Sequence, residues 1–108
     1  MLKIESIARI GRDAQVNIVN GKSVINFSAA HTEKFKNSDG TEQSKVTWLY
    51  CAWWTEKTKI ADYLKKGTTI YVEGKPDTKI YQNEEKINQA QLHIRVSYVT
   101  LVNEPKQQ

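Results

Sequence analysis

Trp48, Tyr50 and Trp54 stand at alternate positions in the stretch VTWLYCAWWTEK (Val46–Lys57), and Ala52 completes the alternation. All three tryptophans of the chain fall within the seven positions from Trp48 to Trp54. Flat rings carry no proton or metal chemistry; they stack. In a strand, alternate side chains share a face, so these four residues form one row and Leu49, Cys51 and Trp53 form the other. A single-layer barrel has one interior, and the wholly apolar row suits it. The aromatic row then faces outward, where exposed rings cost solubility unless they bind something. Unpaired nucleobases fit such a row, because stacking contributes about 1–3 kcal/mol per base whatever its identity. Phe35, in EKFK, and Tyr81, in TKIYQ, add two rings beside Lys34, Lys36 and Lys79. Rings for bases and ammonium groups for phosphates are the two needs of a single-strand groove. The residues alone leave two alternatives open. One is burial, within the domain or at a subunit interface; the other is stacking against an oligosaccharide, against which the lysines beside the rings argue.

Other chemistry finds little support. His31, His93 and Cys51 are too few and too scattered for a zinc site. Asp13, Asp39, Asp62 and Asp77 lack the paired-carboxylate spacing of a metal nuclease, and no Ser/His/Asp order stands out. The expectation is a protein that is not an enzyme and holds no metal or cofactor. One cysteine precludes an intramolecular disulfide, which points to a reducing, intracellular setting. The longest apolar run is too short to cross a bilayer, and MLKIES lacks the layout of a signal peptide. With 16 Lys+Arg against 12 Asp+Glu, the net charge of +4 is compatible with a phosphate-bearing partner without requiring one.

The elements that must position these residues read as strands, because period-two alternation dominates the 108 residues. A first strand covers residues 2–10 and continues through 16–19 after a bend at Gly11-Arg12-Asp13. Asn20-Gly21 signals a hairpin turn into a strand at about 24–32. A polar loop at 33–45 precedes the third strand, about 46–54. Thr55 then caps a predicted α-helix of about three turns, with Ile60, Tyr63 and Leu64 on one face and Gly67 after its end. A fourth strand at 68–73 passes through Gly74 into a long hairpin, and a fifth runs from about 87 to 102. There Leu92, Ile94 and Val96 face one way, and His93, Arg95 and Ser97 the other. The fold class is all-β: a five-stranded Greek-key barrel of OB-fold type, with one α-helix between strands three and four plugging an end. Residues 1–102 form the single domain, and 103–108 a short polar tail.

In this order and spacing, IGRDAQV, VINFSAAHTEKF, VTW, IADYLKKGTTIYVEG and TKIY resemble the bacterial single-stranded-DNA-binding protein family over about residues 2–102. The resemblance implies an OB-fold that assembles as a homotetramer, or as a homodimer. It implies a cytoplasmic, nucleoid-associated protein that wraps single-stranded DNA with little sequence preference in replication, repair or recombination. Position by position, it assigns stacking to Trp48, Trp54, Phe35 and Tyr81. It assigns phosphate contacts to Lys36, Lys66, Lys79 and Lys57, while Lys34 is added by its place beside Phe35. Two positions depart from the pattern: Tyr50 replaces an arginine on the outward face, and Asp77 stands where a basic residue is usual. The family's long linker and acidic tip do not follow Val102, so partner recruitment through such a tip is not expected. That feature also fits a rival reading, a tail-less adaptor like the primosomal protein PriB, which bridges replication-restart factors.

Overall fold

A computed structural model describes residues 1–82 and 88–102; within these, residues 78–82 and 88–90 are described by backbone pairing alone. Six strands follow in order: β1 Ile4–Ile10, β2 Gln15–Val19, β3 Lys22–Lys36, β4 Glu42–Trp54, β5 Thr69–Gln82 and β6 Asn88–Leu101. They pair in the sequence β1-β5-β6-β4-β3, and β1 meets β3 again through Arg9↔Ala30 and Ile10↔Ala29, which closes a five-membered barrel. Every pairing is antiparallel except β4 with β6. β2 continues the course of β1 past the bend and pairs with β3 along Gln15–Val19. The expected Asn20-Gly21 turn joins them, with φ of 51° and 78° at its two residues.

Alternation places one residue in two inside. Ile10, Ile25, Leu49, Ile70, Val72 and Ile94 are almost completely buried and come from all five strands of the ring. Backbone bonds seal the barrel end where the chain leaves β1: Ile10 N–H donates to Thr68 O (2.9 Å), Gly67 N–H to Ile10 O (2.8 Å) and Gly11 N–H to Ser28 O (3.0 Å).

The predicted α-helix is instead a six-residue 3₁₀-helix, Thr58–Tyr63. Thr55 does not cap it; the Thr55 Oγ1 accepts the Lys57 N–H at 3.1 Å, and the helix starts beyond Lys57. The chain after the helix is committed to tertiary partners. Leu64 is fully buried in the core, its carbonyl accepts from Ala14 N–H (2.9 Å), and the Lys66 N–H donates to Asp13 Oδ1 (2.8 Å). These bonds take up the groups that a further α-turn would need. Tyr63, expected on the buried face, is 63% exposed as a result. The predicted loop at 33–45 is also much shorter, because β3 and β4 remain paired out to Lys36↔Glu42 and leave only 37–41 to turn the chain.

A register shift between Glu73 and Gly74 marks a bulge in the β5–β6 pair. A Cβ at Gly74 would collide with the Arg95 carbonyl oxygen and lie 2.6 Å from Ile94 Cγ2. Backbone cannot rotate out of the way as a side chain can. Gly74→Ala is therefore expected to destabilise the domain by about 1–3 kcal/mol, read as a lower urea midpoint; an unchanged midpoint would show that the bulge absorbs the methyl.

Candidate nucleic-acid interface

The two rows of β4 separate as the alternation requires. Trp48, Tyr50 and Trp54 are 46%, 38% and 40% exposed, whereas Leu49 and Cys51 are 2% and 4% exposed. Trp53 is half-buried and packs against the core. Each outward ring has a local seat. Trp48 lies over the bend after β1: a Cβ on Gly11 would fall 2.6 Å from its Cζ3 and 2.8 Å from its Cη2. Gly11 thus allows the large ring to rest against backbone, and the register partner of Trp48 on β3, Ala30, is also small. Tyr50 stacks on His93 of β6, with centroids 5.5 Å apart and planes at 27°. Trp54 closes the row at the end of β4.

These rings line an open groove of about 780 Å³, bordered also by Arg12, Arg95 and Asp77. A second depression of about 610 Å³ also borders Trp48 and Tyr50 and reaches Lys45, Val46 and Gln91. The two rings are thus shared by both hollows.

The predicted cations fall into separate places. Beyond the barrel, β3 and β4 form a two-stranded arm. Pairing parity puts Lys34 and Lys36 on the same face as Trp48, whereas Phe35, 46% exposed, takes the opposite face, about 17 Å along the strand from Trp48. The structure thus brings Trp48, Tyr50 and Trp54 together and leaves Phe35 apart on the arm. The arm's turn is held by Asp39, whose carboxylate accepts from the Thr41 N–H (2.9 Å) and hydroxyl. Those bonds lower the Asp39 pKa from its ordinary value. Lys57 is exposed three residues after Trp54, and Lys66 is exposed beside the groove rim, its backbone tied to Asp13. Lys79 and Tyr81 lie in β5 opposite Gln91 and Gln89; their side chains fall outside the described residues.

Arg12, Arg95 and His93 belong to the groove although the spacing of the sequence did not bring them there. The alternation of 92–97 set His93 and Arg95 on the face opposite Leu92, Ile94 and Val96. Only the parallel β4–β6 pairing, Tyr50↔His93 and Ala52↔Arg95, sets them beside the aromatic row. The remaining reactive groups have structural surroundings. Burial pushes the Cys51 thiol up to about 12, so it stays protonated below the groove floor. His31 donates its Nδ1–H to Ile7 O at 3.0 Å. Among the described residues, no cluster of three or more His, Cys, Asp or Glu is placed to hold a metal ion, and no helix is long and apolar enough to cross a membrane.

The sequence pattern of the single-strand binding protein family matches residues 1–102. A single-stranded DNA-binding protein of Neisseria meningitidis serogroup B is 33% identical over 106 residues, covering 96% of this chain and 58% of that protein. One from Chlorobaculum tepidum is 33% identical over 85 residues, covering 77% and 52%. The chain thus spans little more than half the length of these relatives. Among solved structures, a Plasmodium falciparum SSB in complex with ssDNA superposes with a TM-score of 0.78 at 25% identity, over 95% of this chain and 96% of that one. A small single-stranded DNA-binding protein from Streptomyces coelicolor gives 0.76 at 11% identity, over 94% of each chain, and shares the fold.

Proposed function

The chain belongs to the single-strand binding protein family, and on that premise we propose that it binds single-stranded DNA by stacking bases on the outward row of β4. The observation that carries this reading is the row itself: Trp48, Tyr50 and Trp54 stand open along one groove instead of inside the barrel. Stacking needs only a π-face, so most of the affinity is indifferent to sequence. Lys34 and Lys36 on the arm, with Lys57 and Lys66 at the other end, follow the phosphates. Phe35, on the opposite face of the arm, and Tyr81, on β5, are separate stacking positions for a strand that passes beyond the row, and Lys79 precedes Tyr81 by two residues.

Assembly belongs to the same reading. β1 pairs with β5 from Ile4 to Arg9, but with β3 only at Arg9 and Ile10. Much of its other edge is open to a second copy. A homodimer or homotetramer would let one strand of DNA pass over several grooves, and light scattering with and without a long oligonucleotide reads the copy number.

Intrinsic fluorescence tests the binding mode directly. All three tryptophans lie on β4, two of them on the open row, so oligo(dT) is expected to quench the emission strongly and duplex DNA hardly at all. Unchanged emission at saturating single strand would remove the stacking account and favour a protein-bridging role for the same surface.

A further inference from the structure

The outward residues of four neighbouring strands form transverse rows across the groove. One row reads Asp77, His93, Tyr50 and Ser28; the next reads Lys75, Arg95, Ala52 and Asn26. Asp77, His93, Tyr50 and Arg95 all line the same groove. An exposed carboxylate is out of place there if only phosphates and ring faces are to be bound, since like charges repel (about 1 kcal/mol at 4 Å even in water). A carboxylate accepts hydrogen bonds and donates none, and in single-stranded DNA the donors are base N–H groups. The neighbouring row supplies the opposite tool, the donor-only guanidinium of Arg95. Guanine offers two adjacent donors, N1–H and N2–H, and two adjacent acceptors, O6 and N7, the latter being the preferred partners of arginine. Thymine offers a single donor flanked by carbonyl oxygens, which a carboxylate repels.

Given that the groove takes single-stranded DNA, we propose that Tyr50, Asp77 and Arg95 form a guanine-preferring subsite within it. The base stacks against the Tyr50–His93 ring pair, with Asp77 next to His93 in the same row. Asp77 accepts from N1–H and N2–H, and Arg95 donates to O6 and N7. The small side chain of Ala52, between Tyr50 and Trp54 on the same face, leaves the space beside Tyr50 free of bulk. The subsite adds a preference at one position to binding that is otherwise indifferent to sequence.

The test compares short oligo(dT) with the same strand carrying one central guanine, cytosine, adenine, inosine or 7-deazaguanine. Guanine is expected to tighten binding about fivefold or more. Inosine, which lacks N2, and 7-deazaguanine, which lacks N7, are each expected to lose much of that gain. Asp77→Ala is expected to abolish the preference while tightening binding to plain oligo(dT), because a negative charge leaves the groove. Arg95→Ala should abolish the preference and weaken plain oligo(dT). Equal affinity for guanine and thymine, a larger gain from cytosine or adenine, or a guanine preference that survives Asp77→Ala would each overturn the subsite while leaving the groove reading intact. Failure to bind any of the strands would overturn both.

Discussion

Replacing Trp48 by alanine is expected to weaken binding to single-stranded DNA by about five- to 150-fold, the equivalent of about 1–3 kcal/mol for one lost stack. The domain itself should lose less than about 1 kcal/mol of stability, because the ring is nearly half exposed and rests on Gly11 rather than filling the core. The dependence on salt separates this loss from an electrostatic one. Trp48 carries no charge, so the slope of log K against log[salt] should be unchanged in Trp48→Ala. Removing a phosphate-contacting lysine, such as Lys36, should reduce the slope by about 0.7. Filter binding or anisotropy across a salt series measures both quantities. A shallower slope in Trp48→Ala, or no loss of affinity, would contradict the account of the groove.

The neighbouring residue should behave in the opposite way. Leu49 is one position along β4, 2% exposed and part of the central cluster. Leu49→Ala is expected to cost about 2–5 kcal/mol of folding stability, through lost burial and the cavity left behind. That is a large share of the about 5–15 kcal/mol that holds a domain of this kind together. Under conditions where the variant is folded, its affinity for single-stranded DNA should be close to that of the parent, since the outward row is retained. Urea unfolding followed by binding in the absence of denaturant checks both halves. Two adjacent substitutions with separated effects, one on affinity and one on stability, would be the clearest signature of the two faces of β4. Large losses of affinity from both would mean that the row is not independent of the core beneath it.

Magnitudes explain why rings matter more than charge here. Three exposed rings at about 1–3 kcal/mol each give at most about 3–9 kcal/mol before ordering costs. The charge available to assist them is a net +4, and the groove itself contains Asp13 and Asp77 as well as Arg12 and Arg95. A surface of this kind favours unpaired bases over duplex backbone, because a duplex hides the faces that the rings need.

Much of this was legible in the residues. Alternation along 46–54 assigned Leu49 and Cys51 to the interior and Trp48, Tyr50 and Trp54 to the outside, because successive side chains of a strand cannot share a face. Asn20-Gly21 announced its turn by local backbone requirements alone. Propensity misled where tertiary bonds dominate: the segment from Thr55 to Gly67 has the composition of an α-helix. Burial of Leu64 and the bonds from Ala14 to Leu64 O and from Lys66 to Asp13 hold it to one short 3₁₀ stretch. The polar stretch 33–45 read as loop for a related reason. Paired with each other, its two halves form an arm whose stability comes from the ladder and not from apolar alternation.

The sequence by itself determined the order of the barrel strands and the sidedness of β4, both of which depend on neighbours a few residues apart. Only the tertiary structure decided which cations and anions share the groove. Arg12 arrives through the bend against β3, and His93, Arg95 and Asp77 through the pairing of β6 with β4 and β5. Those contacts join residues far apart in the chain. They are fixed by closure of the barrel around a common core, which no local pattern encodes.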